Sequence, residues 1–169
     1  FINSTLPVYG NPFTNKEKYR DVLSDIAECA CSFVELDLNT GNIDLIWVDE
    51  EISETLTKDD YSSLTLNKKY GPVNSLAIKE SQIEGENVTQ QDDESIETNG
   101  ETQVGIVDNY FLNTEELRRQ ALPAIWERIK GFTYYDCSVT TDLGRPFLKS
   151  GNKIKIEDNL TEKELLHSK

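Results

Sequence analysis

The stretch Asn113 to Tyr135, NTEELRRQALPAIWERIKGFTYY, fixes a helix–strand junction more firmly than any other part of the chain. Asn113 is placed to cap a helix, and Glu116 sits three residues on, where its carboxylate can reach back to the cap. Leu117, Ala121, Ala124, Ile125 and Trp126, with Ile129 one turn further, form the predicted inner stripe. Arg118, Arg119, Glu127, Arg128 and Lys130 are assigned to the wet side. Gly131 stands where a left-handed C′ residue is wanted, and Phe132, Tyr134 and Tyr135 then favour a strand. Pro123 lies inside this helix and removes a backbone donor. It predicts a kink, with the Arg119 carbonyl lacking its usual helical partner.

Upstream, residues 1–13 hold Pro7, Gly10 and Pro12 without periodicity and read as an extended lead-in. Thr14 with Glu17 forms a capping box for a helix whose stripe is Tyr19, Val22, Leu23, Ile26, Ala27 and Ala30. Val34, Leu36 and Leu38, the turn Asn39–Asn42, and then Ile43, Leu45 and Trp47 spell a β-hairpin packed on that helix. Ile52 to Asp60 reads as a linker, anchored at Leu56. Tyr61 to Lys79 reads as a second pair of strands turning at Tyr70-Gly-Pro72. Residues 80–103 are the most polar, with a short helix from Asp93 to Asn99 ended by Gly100, and Val104, Ile106 and Val107 form a brief strand. After Tyr135, Cys137 and Val139 continue the alternation until Gly144-Arg-Pro146. Lys149–Asn152 turns, and Ile154 and Ile156 mark a closing strand. Thr161 and Glu164 suggest a weak helix start near the end.

The expected fold class is α+β: two amphipathic helices packed on short, mainly antiparallel β-sheets. The expected organisation is a lead-in over 1–13, a region over 14–158 that divides into 14–60 and 61–158, and a tail over 159–169. With Phe1 at the start and no Met in the chain, the ends are expected to be cut from a longer protein.

The net charge of −14 argues against a nucleic-acid grip or an anionic membrane surface and favours neutral or basic partners. No run approaches the roughly 18 apolar residues that a spanning helix needs. Three cysteines, Cys29, Cys31 and Cys137, do not suggest a disulfide framework, and Cys29-x-Cys31 is not zinc-knuckle spacing, so they read as small half-buried thiols. Asn3, Asn87 and Asn159 begin glycosylation-type triplets, which recur by chance. The single histidine, His167, lies three residues from the end and is a poor catalytic base. The nine glycines are scattered at turns and form no phosphate loop, and Asp92-Asp-Glu94 lacks calcium-loop order. Trp47 and Trp126 read as core. No catalytic, cofactor-binding or metal residue is therefore singled out, no cofactor is expected, and the chain is not expected to be an enzyme.

Several phrases in order carry a resemblance. They are Lys18–Glu28 leading into a hairpin, Lys69-Tyr-Gly-Pro-Val-Asn-Ser75, Ile83–Val88, Asp93–Glu97 with Asn99-Gly100, Asp108-Asn109, and Ile129-Lys-Gly-Phe-Thr-Tyr-Tyr135. With the turns near Gly144 and Gly151, this set resembles the hub region of bacteriophage and prophage tail proteins, the tail-associated lysin or prophage endopeptidase tail family, over residues 14–158. The family has a glycine-containing helix end where this chain has Ala30-Cys-Ser32. The resemblance implies a baseplate or tail-tip hub: a structural virion protein, made in the bacterial host cytoplasm, that forms a homotrimeric ring closing the tail tube and carries downstream host-penetration domains. Its implied partners are further copies of itself and other tail proteins, such as distal tail and tape-measure proteins, with no specific nucleic acid and no membrane. Two other readings stand beside it. One is a tail-associated cell-wall hydrolase, which needs convergent carboxylates. The other is a host-receptor or glycan-binding module using tyrosines such as Tyr9, Tyr61 or Tyr110.

Overall fold

In the computed structural model, residues 2–8, 18–48, 51–80, 87–149 and 151–157 are described. The anchoring helix, Glu115–Ile129, begins one residue later than the sequence suggests: Thr114, not Asn113, is its cap. Thr114 is extended and its hydroxyl accepts from the Leu117 amide at 3.2 Å, satisfying a donor that a helix start otherwise leaves orphaned. Asn113 instead closes the short 3₁₀ turn Tyr110–Leu112. Leu117, Ala121, Ile125, Trp126 and Ile129 are buried as the periodicity predicts. Arg118 is a correction, since it is buried rather than wet. It stands three residues before Ala121 and seven before Ile125, so helical spacing carries it into the same stripe. The helix is continuous through Pro123. Both Pro123 and Arg119 lie on its exposed side, where losing one helical bond costs least.

Residues 1–46 with 69–134 form one compact unit and residues 47–68 with 135–169 a second. Each unit is therefore discontinuous, unlike the sequential halves 14–60 and 61–158. In chain order the described elements are α1 (Tyr19–Cys29), β1 (Phe33–Leu36), β2 (Ile43–Ile46), β3 (Ile52–Leu56), β4 (Tyr61–Tyr70), β5 (Ser75–Lys79) and β6 (Val88–Gln91). They continue with α2 (Asp93–Asn99), β7 (Gln103–Val107), the 3₁₀ turn, α3 (Glu115–Ile129), β8 (Tyr134–Thr141) and β9 (Lys153–Ile156). The class is α+β with several small, mainly antiparallel sheets.

In the first unit, β5 is the centre of a three-stranded sheet, antiparallel to β6 and parallel to β7. Ile78 faces Val88 on one side and Ile106 on the other, and Leu76, Ala77 and Ile78 are fully buried. α3 packs on β5 and β6. Each large apolar side chain on its inner stripe contributes about 1.5–3 kcal/mol by leaving water. β5 does not pair with β4, so Tyr61–Lys79 is not the expected strand pair. Residues 71–74 carry the chain to the end of α3 instead. The Val73 amide donates to the Phe132 carbonyl at 2.9 Å, and the Gly131 amide donates to the Val73 carbonyl at 2.8 Å. α2 occupies the expected Asp93–Asn99 span, with the Asp92 side chain as cap and Gly100 at φ +79° closing it. β6, just before it, went unread in the sequence.

α1 begins at Tyr19, because Lys18 is extended and caps it without a side chain. Thr14 and Glu17 lie outside the described residues. Val22 and Ala27 are buried, but Tyr19 is 79% exposed and leaves the predicted stripe. At the far end Cys31 takes φ +45°, the left-handed position usually given to glycine. The Ser32 amide donates to the Ala27 carbonyl at 2.8 Å and the Cys31 amide to the Glu28 carbonyl at 3.0 Å, the paired bonds of a Schellman ending. β1 and β2 form the expected hairpin, Phe33 opposite Ile46 and Leu36 opposite Ile43. α1 contacts β1, as expected, although most of the hairpin's apolar residues stay exposed.

In the second unit the expected linker is a strand. β3 runs parallel to β9, with Leu56 opposite Ile156 and Leu56 buried as expected. A partner about a hundred residues downstream leaves no local mark. β4 pairs with β8. Trp47 is half-buried and Trp126 buried.

Candidate functional site

Polar chemistry is concentrated at three buried or half-buried knots. The first ties α1 to the loop before α3. Asn109, which caps the 3₁₀ turn, is buried. Its Nδ2 donates to the Asp25 carbonyl at 2.9 Å and to the Glu28 carboxylate at 3.0 Å. Its Oδ1 accepts from the Cys29 thiol at 3.2 Å and from the Phe111 amide at 3.0 Å. The Tyr110 amide donates to the Asp25 carboxylate at 3.2 Å. Burial nevertheless raises the Asp25 pKa, against that bond and with help from Asp21. The orphan carbonyls at the end of α1 are taken in the same way. Asn3 donates to Cys29, and Arg128 donates to Ala30 at 3.0 Å and to Cys31 at 3.3 Å.

Burial pushes the Cys29 thiol up to about 12, with Asp25 and Glu28 adding to the effect. Burial likewise lifts Cys31 to about 11, despite Arg128. Both stay protonated at neutral pH, and a protonated thiol is neither nucleophile nor metal ligand. Cys137 is exposed on β8 and free. Among the described residues no group of His, Cys, Asp and Glu side chains is disposed to hold a metal ion.

The second knot is Asn74, fully buried before β5. It donates to the Gly100 carbonyl at 2.7 Å, accepts from the Thr102 amide at 2.7 Å, and so pins the end of α2 beside the sheet. The third lies in the second unit. Arg145 reaches Glu54 at 2.8 Å and Asp60 at 2.6 Å. Asp60 also accepts from the Thr57 hydroxyl and amide, and these bonds, with Arg145 next, hold its pKa down to about 2. A carboxylate held this firmly as an anion is a clasp rather than a proton donor.

A groove of about 260 Å³ opens in the first unit, lined by Ile2, Leu6, Val8, Ile26, Leu45 and Phe111 among others. Its lining is mostly apolar, and among the described residues Cys29 is the one titratable residue there. The described lining can bury an apolar group and offers it no carboxylate, imidazole or amine. Of the tyrosines considered for receptor binding, Tyr61 and Tyr110 are half-buried rather than exposed, and Tyr9 lies outside the described residues, as does His167. No described helix is long and apolar enough to cross a membrane. The knots at Asn109, Asn74 and Arg145 escaped sequence reasoning. Asn and Arg look alike in a solvated loop and a buried one, so local sequence carries no signal for these three knots.

The chain matches no protein-family model, no curated protein and no solved structure.

Proposed function

We propose that this chain is a structural part of a bacteriophage or prophage tail-tip hub, working as a homotrimer beside other tail proteins. The observation that carries the reading is the ordered set of phrases that resembles the hub family. What supports it further is where those phrases fall. Lys69–Ser75 and Ile129–Tyr135 are bonded to each other through Val73, Gly131 and Phe132. Asp108-Asn109 is bonded to the Lys18–Glu28 phrase through Asp25 and Glu28. Asp93–Asn99 is bonded through its cap and Gly100 to Asn74. These phrases thus meet one another within the first unit, as a scaffold's signature would.

Native mass measurement on the intact protein should give a trimer, and the protein should be found in purified tail particles. A protein that stays monomeric at every concentration and never enters those particles would sink the proposal. Release of soluble fragments from purified peptidoglycan would replace it with the hydrolase reading.

A further inference from the structure

Asn99 is the only asparagine in the chain followed by a glycine. Asparagine is a labile residue, and a following glycine makes it most so, because no Cβ crowds the backbone nitrogen that attacks the side chain. Both residues are exposed at the end of α2, where water reaches them. No described atom lies within 4 Å of the place that a Gly100 Cβ would occupy.

The folded helix holds the two reacting groups apart. The Gly100 amide donates to the Ile96 carbonyl at 2.9 Å, and Asn99 Nδ2 donates to the Ser95 carbonyl at 3.1 Å. Attack needs the Gly100 nitrogen freed from that bond and turned onto the Asn99 carboxamide carbon, so the end of α2 has to open first. α2 has seven residues and none of them is buried, so little apolar surface resists its opening. Its fastenings are polar. Asp92 caps one end, and at the other Asn74 Nδ2 donates to the Gly100 carbonyl at 2.7 Å.

We infer that Asn99 is a deamidation site gated by the opening of α2, and that its reaction irreversibly unlatches α2 from the Asn74 knot. The chemistry needs only water. The Gly100 amide nitrogen gives up its proton and bonds to Asn99 Cγ, closing a succinimide. The Cγ–Nδ2 bond breaks, and Nδ2 takes up a proton and leaves as ammonia. Water then opens the ring at one of its two carbonyls, giving aspartate or isoaspartate. One water enters, one ammonia leaves, and nothing is oxidised or reduced. Either product replaces a donor by an acceptor-only carboxylate beside the Ser95 carbonyl, at a helix end with no basic residue in its last turn. Isoaspartate also adds a methylene to the backbone just before Gly100, whose carbonyl Asn74 holds. Asn74 is fully buried, so displacing that carbonyl leaves its amide short of a partner away from water.

The test ages the intact protein in mildly alkaline buffer, folded and in urea, and follows it by peptide mass mapping with isoaspartate-specific methylation. A gain of one dalton should build up first in the peptide that holds Asn99-Gly100, and at least about tenfold more slowly in the folded protein than in urea. Asp92→Ala removes the cap on the Ser95 amide and should speed the folded reaction, whereas Asn99→Gln should stop it. In the deamidated wild type the Thr102 amide, which donates to Asn74 Oδ1 at 2.7 Å, should exchange at least about fivefold faster than in fresh protein or in aged Asn99→Gln. Faster deamidation at another asparagine overturns the site. Equal rates folded and in urea, or an Asp92→Ala rate no higher than wild type, overturn the gate. Unchanged Thr102 exchange after deamidation overturns the unlatching. The ageing of wild type decides the site and the gate even if a variant fails to fold.

Discussion

Asn109 should be the most costly polar residue in the first unit. Its amide meets the Asp25 carbonyl, the Glu28 carboxylate, the Cys29 thiol and the Phe111 amide, all at 3.2 Å or less, and the side chain is almost completely out of water. Truncation by Asn109→Ala removes these bonds and leaves the half-buried Phe111 amide and the Glu28 carboxylate without this partner. At about 1 kcal/mol for each hydrogen bond, and more for each orphaned group, the loss is about 3 kcal/mol. Trp126 is buried in the same unit and the chain has only one other tryptophan, Trp47. Urea unfolding followed by fluorescence in a Trp47→Phe background therefore reads this unit alone. Asn109→Asp gives a second, sharper reading because it keeps the shape. Its new carboxylate would face the Glu28 carboxylate and the Asp25 carbonyl, so its pKa in the folded state lies above the unfolded value. The variant is then most destabilised at neutral pH and recovers as the pH falls through that raised pKa. A loss below about 1 kcal/mol for Asn109→Ala, with a pH-independent loss for Asn109→Asp, would refute the claim that this amide holds α1 in place.

Gly71 has φ +96°, and a Cβ there would run into the Phe132 carbonyl. Gly71→Ala should therefore cost more than about 2 kcal/mol in urea unfolding. Gly41→Ala meets open space at φ +74° and should cost only about 1 kcal/mol in the same assay. Cys31→Gly relieves a left-handed non-glycine residue at the end of α1 and should raise the thermal midpoint, for a gain of about 0.5–1 kcal/mol. The clasp around Asp60 has a depressed carboxylate pKa. Its contribution to stability is fully present above the unfolded Asp value and is lost as the pH falls through about 2. Amide exchange in residues 57–60 should accelerate over that acid window, and Thr57→Val, which removes the hydroxyl bond but leaves the Thr57 amide and Arg145 in place, should weaken the pH dependence.

What could be read from the sequence was what neighbouring residues decide. The Asp93–Asn99 helix was legible because its cap and its stop, Asp92 and Gly100, flank it directly. The 33–46 hairpin and the left-handed Gly131 at the end of α3 were legible for the same reason. What failed depended on partners far along the chain. Ile52–Leu56 looked like a linker because the strand that makes it a strand is Lys153–Ile156. β4 and β5 looked like a hairpin because nothing in Tyr70-Gly-Pro72 says that Val73 will bond to Gly131 and Phe132 instead. The polar knots are hidden more deeply. A buried Asn is worth keeping only when all its bonding groups meet partners, and its partners here come from elements brought together by apolar packing. Asn109 can be buried only because α1 arrives with the Asp25 carbonyl and Glu28 already placed, and α1 arrives because Val22 and Ala27 leave water. The apolar stripes therefore decide the polar knots. The knots then decide which of several apolar packings is the native one, since a shift of one helical turn would leave the Asn109 amide buried and unpaired.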